Sequence, residues 1–460
     1  MRVHLSFGRQ GLLVDLPDDY DYQVLECPPL QPIPDPAAAI EAAIEAPIAS
    51  PPLVDLAQGK RSAAISVCDI TRPAPNPVTL PPLLQRLEAA GIEPGNVTIL
   101  IATGLHRAAT GAEILQIVGQ PVASRYRVLN HYARNATQHR SLGKTASGTP
   151  VAIDDRFISA DLHITLGFIE PHLMLGFSGG RKLVAPGLAA EATIKELHSS
   201  RFMRDTRACE GSIKDNPLHA ELLEIARMAR HDFILDVALN RQRQIAGVFS
   251  GEPEAAHRKG VDWVASRIFQ PVPQHFDAVI TTSAGYPLDL TFYQTAKGIT
   301  AASPLVRPGG RMLLFGACEE GAGAKEFRDM LLQYRSGREF LRAIEGVPVT
   351  IDQWQLEKLA LATQRIDVSY CVPGLPQPYL GALWGPGFHD PADALRAFFA
   401  GLPRGSRVAV IPDGPYVLAG VVEESANEVL AGTNEVLAGP NEVLAGPNEV
   451  LAGQRRTPLA

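Results

Sequence analysis

The chain has 460 residues, of which 46% are hydrophobic and 20% are charged, and its formal net charge at pH 7 is −7. These values are typical of a globular protein of two or three domains, and the acidic balance argues against a general nucleic-acid-binding protein. No apolar run has the length of a membrane span, and the first residues lack the apolar core of a signal peptide. Five widely spaced cysteines contain no C-x-x-C pair, which excludes a sequence signature of disulfides or zinc ribbons. We therefore expect a cytoplasmic enzyme that binds neither nucleic acid nor membrane.

The first predicted elements are a hairpin that turns at residues 8–11 and, after a proline-rich connector, a short alanine-rich helix that begins near Asp35. Strand and helix then alternate, because the buried-strand runs SAAISVC and NVTILIA are each followed by a helical pattern that ends at glycine. A third buried strand, DLHITLGFI, follows. This order predicts a mostly parallel sheet with helices on both faces.

A second alternation begins after the proline-bearing segment IFQPVPQHFD, with the strand patterns FDAVITT and GGRMLLF on either side of the helical pattern LTFYQTAKGITAAS. We place a domain boundary at residue 270, which gives an N-terminal α/β domain of residues 1–270 and a C-terminal α/β domain of residues 271–404. The later strand pattern SRVAVIPDG is expected to return to the first domain, so that residues 405–422 complete it. The predicted fold class is α/β, with two α/β domains and mostly parallel sheets.

Residues 423–460 lack the alternating strand and helix patterns of the preceding chain and are repetitive instead. NEVLAG occurs there four times at a spacing of seven residues. Seven is also the coiled-coil period, but every copy contains glycine and two of the four are followed by proline. Both residues destabilise a long helix when they recur in each heptad. We predict a flexible tail that carries no chemistry.

Polar side chains collect where three strands of the first domain end. Asp69, Thr71 and Arg72 follow SAAISVC, His106 follows NVTILIATG, and His172 follows DLHITLGFI. Ligands of open α/β sheets bind beyond the carboxyl ends of the strands. The sequence therefore predicts a ligand site at this edge of the sheet.

The second domain contributes Tyr293, Gln294 and Lys297, which the three- and four-residue spacings place on one face of a predicted helix. Each residue of both sets also has an ordinary interpretation, such as a structural histidine, a helix cap at Asp69 or an exposed helix face. Their convergence favours an active site in the cleft between the two domains.

The segment EPHLMLGFSGGRKLVAPG, residues 170–187, is rich in glycine and contains an Arg-Lys pair. It resembles a phosphate-binding loop, but Arg181 stands where that loop needs glycine and Leu183 where it needs serine or threonine. No G-x-G-x-x-G follows a strand and no H-E-x-x-H occurs, so neither a freely exchanging dinucleotide nor a local zinc motif is supported. These observations leave the function of Lys182 open.

Five motifs in this order resemble the nickel-dependent lactate racemase family, namely DITRP, ATGLHR, GFIEPHLMLGFSGGRKLVAPG, VFSGEPEAAHRKGV and YPLDLTFYQTAKG. The resemblance covers most of residues 60–320 and, more loosely, the chain up to about residue 415. The NEVLAG tail lies outside the family pattern. The resemblance implies a racemase or epimerase that inverts the C2 centre of a 2-hydroxy acid, lactate or a related acid.

The resemblance also implies a cofactor, the nickel pincer nucleotide, a nicotinic-acid-derived mononucleotide that holds Ni(II) through sulfur atoms and a pyridinium carbon. Lys182 matches the lysine that carries this cofactor covalently through a thioamide, and His198 matches the histidine that supplies a further nickel ligand. Proteins that synthesise the cofactor are expected partners. The other expected cofactor-binding residues follow the same strands or lie in the glycine-rich segment: Asp69, Thr71, Ser178, Gly179, Gly180 and Arg181.

His106 and His172 match the two bases of the family. The α-hydrogen of a 2-hydroxy acid is a poor acid, and its removal as hydride while a base takes the hydroxyl proton avoids a dianion. Two histidines can serve the two enantiomers. The expected substrate-binding residues are two cations for the carboxylate, Arg72 and Lys297, and three side chains that shape the pocket, Gln294, Tyr293 and Trp354, of which Trp354 has core packing as an equal alternative.

Two further functions remain open. A non-catalytic protein that stores or delivers the nickel cofactor needs Lys182 and His198, but neither the bases nor the carboxylate-binding cations. A zinc-dependent hydrolase that uses His106, His172 and His198 predicts bound zinc, no covalent adduct and no inversion. Among racemase substrates, sequence order does not select lactate over a dicarboxylate or a sugar acid.

Overall fold

The computed structural model describes residues 1–422, so the predicted NEVLAG tail lies outside the described residues. Two six-stranded sheets form the framework, and helices pack on both. The predicted α/β class with mostly parallel sheets is confirmed. Within residues 1–422, no helix combines the length and the apolar character needed to cross a bilayer.

The chain begins with the antiparallel hairpin of β1 (Arg2–Leu5) and β2 (Leu12–Asp15), as predicted. The next elements are β3 (Asp21–Val24), α1 (Pro36–Glu45) and α2 (Leu53–Ala57). A carboxylate oxygen of Asp35 accepts a hydrogen bond of 3.0 Å from the amide of Ala38, so Asp35 is the N-cap of α1, in agreement with the predicted start of that helix.

The first sheet has the strand order β13-β12-β9-β4-β5-β6 and is parallel except for the hairpin of β12 and β13 at its edge. The strands of this part of the chain are β4 (Ala63–Cys68), β5 (Val97–Ala102), β6 (Arg127–Asn130), β7 (His139–Lys144), β8 (Pro150–Asp154), β9 (Leu162–Phe168), β10 (Pro171–His172), β11 (Gly176–Phe177), β12 (Phe233–Leu239) and β13 (Ile245–Gly251). The three strands expected from the sequence are β4, β5 and β9, and they are neighbours in the sheet.

Helices cover both faces of this sheet, which explains why its central strands are mostly apolar and almost entirely buried. Ile65 of β4 packs in the core on one face, and Ala64 packs in the core on the other. The helices of this part of the chain are α3 (Asn76–Ala89), α4 (Gly111–Val118), α5 (Gln120–Arg125), α6 (Asp155–Ile158), α7 (Glu191–Leu197), α8 (Ser200–Met203), α9 (Pro217–Met228) and α10 (Pro253–Ile268).

The second sheet has the order β18-β17-β16-β15-β19-β3, and every pair in it is parallel. The remaining strands are β14 (Gln270–Val272), β15 (Phe276–Thr282), β16 (Val306–Phe315), β17 (Asp367–Cys371), β18 (Gly387–Phe388), β19 (Arg407–Ile411) and β20 (Ala419–Val421). The remaining helices are α11 (Phe292–Ala302), α12 (Lys325–Gln333), α13 (Gly337–Ala343), α14 (Gln353–Thr363), α15 (Gln377–Leu380) and α16 (Pro391–Phe399).

The position of β19 corrects the expectation that residues 405–422 complete the first domain. This strand lies in the second sheet, between β15 and β3, while β20 pairs with β14. The start of the chain also belongs to the second sheet, because β3 pairs with β19 and Leu5 and Val14 pack in the same core as Val408. The two ends of the described chain therefore meet in one sheet. The predicted boundary near residue 270 falls between α10, which packs on the first sheet, and β15 of the second.

Two ion pairs join the parts of the chain that build the two sheets. The guanidinium of Arg204 lies 2.8 Å from the carboxylate of Glu357, which is fully buried. The guanidinium of Arg241 lies 2.7 Å from the carboxylate of Asp413, which also accepts a hydrogen bond from the hydroxyl of Ser6. These contacts fix the walls of the space between the two halves.

Candidate active site

A cavity of about 650 Å³ lies between the two halves of the molecule. The segments that follow β4, β5 and β9 form one wall, since these strands are adjacent and parallel and their carboxyl ends meet at one edge. Helices α11 and α14 contribute to the opposite wall. Most of the residues expected from the sequence line this space: Asp69, Arg72, His106, His172, Ser178, Gly179, Lys182, His198, Tyr293, Gln294, Lys297 and Trp354.

His106 is held by a carboxylate. Its Nδ1 lies 2.7 Å from Oδ2 of Asp69, while Oδ1 of Asp69 accepts hydrogen bonds from the hydroxyl of Thr71 at 2.6 Å and its amide at 3.2 Å. Burial raises the pKa of Asp69, but the hydrogen bonds from His106 and Thr71 and the charge of Arg72 outweigh burial and lower it. The carboxylate is therefore ionised and accepts a hydrogen bond from Nδ1–H of His106.

His172 has a different environment. Its Nδ1 accepts long hydrogen bonds from the amides of Met174 at 3.4 Å and Leu175 at 3.3 Å. Burial lowers the pKa of His172 well below the ordinary range, and the charges of Lys182 and Arg72 lower it further. Without bound anions, this ring is neutral.

The glycine-rich segment bends back on the end of β9 and presents Lys182 to the cavity. Ser178 joins the glycine-rich segment to the end of β9 by hydrogen bonds. Its hydroxyl donates to the carbonyl of Phe168 at 2.9 Å and accepts from the amide of Glu170 at 3.0 Å. Gly179 has a φ of +91°, a conformation that favours glycine, and a Cβ there lies 2.6 Å from Oδ2 of Asp236. The same carboxylate oxygen accepts a hydrogen bond of 2.8 Å from the amide of Gly180, which begins the 3₁₀ turn containing Lys182.

Four cationic side chains line the cavity: Arg72, Arg134, Lys182 and Lys297. Burial, together with the charges of Arg72 and Lys297, lowers the pKa of Lys182 to about 7. Burial and Arg72 likewise lower the pKa of Lys297 to about 7. The carboxyl of Glu170 opposes these charges, although burial raises its own pKa. Such a set of cations favours anionic ligands, and a lysine with a pKa near neutral is a nucleophilic amine.

His198 lines the cavity with one ring nitrogen fixed by the backbone. Its Nδ1 donates a hydrogen bond of 2.7 Å to the carbonyl of Ile194, which leaves Nε2 with a lone pair. Burial lowers the pKa of His198 to about 4, so the ring is neutral at physiological pH. The ring of Trp354 packs on it with the centroids 4.4 Å apart, and the indole N–H donates to the hydroxyl of Tyr293 at 3.2 Å.

Three predicted cofactor-binding residues do not line the cavity. Arg181 is almost fully buried below the loop, where its guanidinium donates to the carbonyls of Gly179, Leu175 and Phe177. The hydroxyl of Thr71 donates to Asp69, and the amide of Gly180 donates to Asp236. The structure thus places Thr71, Gly180 and Arg181 behind the residues that face the cavity.

Several lining residues had not been predicted, among them Glu170, Asp352 and Gln355. Glu170 stands two residues before His172 at the end of β9, so the argument from strand ends could have identified it. Asp352 and Gln355 flank Trp354 at the start of α14 and belong to no recognisable motif.

Asp236 should make the stability of the fold depend on pH. Burial raises its pKa from 3.8 to about 7, so the folded chain binds this proton more tightly than the unfolded chain does. The resulting stabilisation is complete below about pH 4 and is lost as the pH rises through about 7. Between about pH 5 and about pH 8, we expect the free energy of unfolding to fall by on the order of 1 to 4 kcal/mol more in the wild type than in Asp236→Asn. Urea denaturation at several pH values measures how the free energy of unfolding of each protein depends on pH. An equal dependence in the two proteins would contradict this assignment.

Comparisons with known proteins identify the family to which the chain belongs. A family model described as the lactate racemase N-terminal domain matches residues 7–211, and one described as the lactate racemase C-terminal domain matches residues 272–419. The lactate racemase of Thermoanaerobacterium thermosaccharolyticum is 32% identical over 90% of this chain and 98% of its own length. That of Lactiplantibacillus plantarum is 34% identical over 82% of this chain and 89% of its own length.

Solved structures extend the comparison to the fold. The lactate racemase apoprotein from Thermoanaerobacterium thermosaccharolyticum superposes with a TM-score of 0.85 at 30% identity, covering 91% of this chain and 100% of that chain. A crystal structure of a Thermotoga maritima protein superposes with a TM-score of 0.62 at 16% identity, covering 85% of this chain and 99% of that chain. The second likeness concerns the fold alone.

Proposed function

The chain belongs to the lactate racemase family of isomerases, and we propose that it inverts the C2 centre of lactate or a related 2-hydroxy acid with the help of a nickel pincer nucleotide attached to Lys182. The observation that carries the proposal is the meeting, in one cavity, of three histidines, His106, His172 and His198, with the cations Arg72, Lys182 and Lys297. We also propose that the protein works in the cytoplasm, without nucleic acid or membrane, and depends on proteins that synthesise the cofactor.

The residues of the cavity fit this cofactor. Lys182 is half-buried and has a pKa of about 7, so much of its amine is neutral and able to form a covalent bond. His198 offers a free Nε2. Within residues 1–422, no three His, Cys, Asp or Glu side chains converge on one point as metal ligands, so a metal in this cavity needs donors supplied by a bound group. When bound, the cofactor supplies an electrophilic carbon that accepts and returns hydride.

Arg72 and Lys297 bind and orient the substrate. Both line the cavity, one from each half of the molecule. The charge of Arg72 is close enough to lower the pKa of Lys297. A carboxylate placed between them satisfies both cations, and the planar guanidinium can donate two parallel hydrogen bonds to it. With its carboxylate bound in this way, the substrate directs its C2 hydroxyl toward His106 and His172.

His106 is assigned as one of the two bases, and its contact with Asp69 supports this role. Its Nδ1–H is held by Asp69, so Nε2 can accept the hydroxyl proton, and the carboxylate stabilises the imidazolium that forms. Removal of the proton and of hydride leaves a neutral ketone beside the substrate carboxylate.

His172 serves the opposite enantiomer. Its pKa is depressed by burial and by the cations around it, and a bound carboxylate and phosphate neutralise those cations. Ligand binding therefore moves its pKa back toward the neutral range, where a proton-transfer group works best. A single inversion uses both histidines, one to take the hydroxyl proton of the substrate and the other to return a proton to the same oxygen once hydride has come back to the opposite face of C2.

Replacing either histidine by glutamine should lower racemisation by about 10²- to 10⁴-fold, the usual contribution of one acid–base group. The sharper expectation concerns the 2-keto acid formed in a single turnover of cofactor-loaded protein. His106→Gln should form it from only one enantiomer, and His172→Gln should form it from only the other.

The matched control is His275→Gln, which removes an exposed histidine outside the cavity. It should leave the rate of racemisation, measured by chiral chromatography of the products, unchanged. Unaltered racemisation in both cavity variants would contradict the two-base proposal. Bound zinc, with no adduct on Lys182, would favour the hydrolase, whereas an adduct on Lys182 without any inversion would favour a storage or delivery protein.

A further inference from the structure

The indole of Trp354 lies against the imidazole of His198, although the two residues belong to different halves of the molecule. The ring centroids are 4.4 Å apart, and the ring planes are tilted by 44°. Trp354 is a residue of α14, yet it packs in the same core as Ile194 and Leu197 of α7, which covers the first sheet. Its side chain is 9% exposed and lines the cavity beside His198. The indole therefore limits the rotation of the imidazole.

Two further contacts hold α14 against the half of the molecule that contains His198. The guanidinium of Arg204 lies 2.8 Å from the carboxylate of Glu357, and Nζ of Lys358 donates to the carbonyl of Ala208 at 3.1 Å. Glu357 and Lys358 follow Trp354 by three and four residues, so all three side chains share one face of the helix. The helix thus fixes the place of the indole in the first half.

Tyr293 of α11 sets the orientation of this indole. The indole N–H donates a hydrogen bond of 3.2 Å to the hydroxyl of Tyr293. Because an indole N–H can only donate, the hydroxyl is the acceptor, and its own proton is directed to another group. The ring of Tyr293 is held in turn by Phe327, with the two planes perpendicular and the centroids 5.3 Å apart. The side chain that orients the indole is therefore itself fixed.

The carboxyl of Asp352 lies beside the hydroxyl of Tyr293 and takes its proton as a hydrogen bond. Burial raises the pKa of Asp352, while this hydrogen bond lowers it. Asp352 is the N-cap residue of α14, but its side chain makes no hydrogen bond to the helix end, and its backbone is left-handed with a φ of +67°. Since the hydroxyl proton of Tyr293 is taken by a carboxylate, the hydroxyl has no donor left for the carboxylate of a substrate.

His198 is thus fixed in two ways. The hydrogen bond of 2.7 Å from Nδ1 to the carbonyl of Ile194 determines which nitrogen carries the proton, but a single bond lets the ring tilt about it. The contact with Trp354 restricts that tilt. Groups that fix the tautomer and the orientation of a metal-binding histidine increase the affinity of the site for its metal.

We propose that Tyr293 and Trp354 are positioning residues for His198, which hold its Nε2 toward bound nickel, and that they do not bind the substrate. This inference rests on the proposed function, in which His198 is a nickel ligand. It replaces the substrate-binding role expected of both residues from the sequence. Without the hydroxyl of Tyr293, the indole N–H loses its acceptor, and the indole is free to move away from the imidazole.

Tyr293→Phe tests the proposal because it removes one hydroxyl. In protein without cofactor, the indole proton of Trp354 should exchange with solvent about three- to tenfold faster, the usual effect of one hydrogen bond. NMR of the nitrogen-labelled protein measures this exchange, and Trp354→Phe assigns the signal. In cofactor-loaded protein, nickel should pass to a chelator at least about tenfold faster, whereas KM for the 2-hydroxy acid should change by less than about twofold.

Tyr334→Phe is the matched control. Tyr334 is a half-buried tyrosine outside the cavity, and its ring packs edge-on against Phe340 with the centroids 5.3 Å apart. A second indole N–H, that of Trp384, donates to the backbone carbonyl of Tyr334 at 2.9 Å, so removal of the hydroxyl leaves this bond intact. The control should keep the wild-type indole exchange, nickel retention and KM.

Three results would overturn the inference and leave the proposed function intact. In the first, Tyr293→Phe keeps its nickel and raises KM by at least about tenfold, because the hydroxyl then binds the substrate. In the second, nickel is lost faster while the indole exchange is unchanged, so that the hydroxyl acts without Trp354. In the third, exchange, nickel loss and KM all stay at their wild-type values. Loaded wild type that holds no nickel and racemises no 2-hydroxy acid would instead overturn the proposed function, and the inference with it.

Discussion

Lys182→Arg should abolish racemisation, with a loss of at least about a thousandfold, while the protein remains folded. Arginine keeps the positive charge and much of the length of the side chain, but its guanidinium is not a nucleophilic amine and cannot form the thioamide. Lys182 differs from an ordinary surface lysine because burial lowers its pKa to about 7. Chiral chromatography of product, together with the nickel content of the purified protein, measures the effect.

Lys144→Arg is the matched control, because Lys144 is exposed on β7 and lies outside the cavity. It should retain wild-type activity and nickel. If Lys182→Arg also retained both, the lysine would be an anion-binding residue and the covalent attachment would be wrong. A circular dichroism spectrum identical to that of the wild type is needed to interpret a loss.

Gly179→Ala should have the second large effect, on both stability and cofactor loading. The residue has a φ of +91°, and the added Cβ lies 2.6 Å from Oδ2 of Asp236 and 3.2 Å from the carbonyl oxygen of Phe168. The backbone strain alone costs about 1–3 kcal/mol, and the overlap adds about 1–3 kcal/mol. Because Lys182 stands three residues later in the same loop, the displaced backbone should also reduce its modification.

Gly148→Ala separates the two contributions. Gly148 has a φ of +97°, but its added Cβ meets nothing within 4 Å, so only the backbone strain remains. Urea denaturation should show Gly179→Ala as the less stable variant by at least about 1 kcal/mol. Equal destabilisation by the two substitutions would mean that Asp236 and Phe168 move aside, contrary to the rigid loop described above.

The central strands could be predicted because their patterns are long and mostly apolar. All six residues of β4 are buried, and a run of that kind between turn signals has few other interpretations. By contrast, β3 has four residues, none fully buried, and pairs with β19 at the other end of the chain. No local pattern specifies such a pairing, so the expectation that residues 405–422 return to the first domain was wrong.

The site was predictable where it follows from sheet order. Asp69, His106 and His172 come after three strands that lie side by side, and the strand-end rule brings their side chains together. Gln355 was missed because its place in the cavity depends on how α14 packs between the two halves, which no motif records. Arg181 was expected to bind the cofactor because it adjoins Lys182, but in a tight turn adjacent side chains diverge, and Arg181 is buried below the loop.

The most direct test of the account is the intact mass of the denatured protein, with peptide mapping, after purification from a host that makes the cofactor. The account predicts an adduct of nucleotide size on the peptide that contains Lys182, and its absence from Lys182→Arg. An unmodified Lys182 in protein that racemises a 2-hydroxy acid would contradict it.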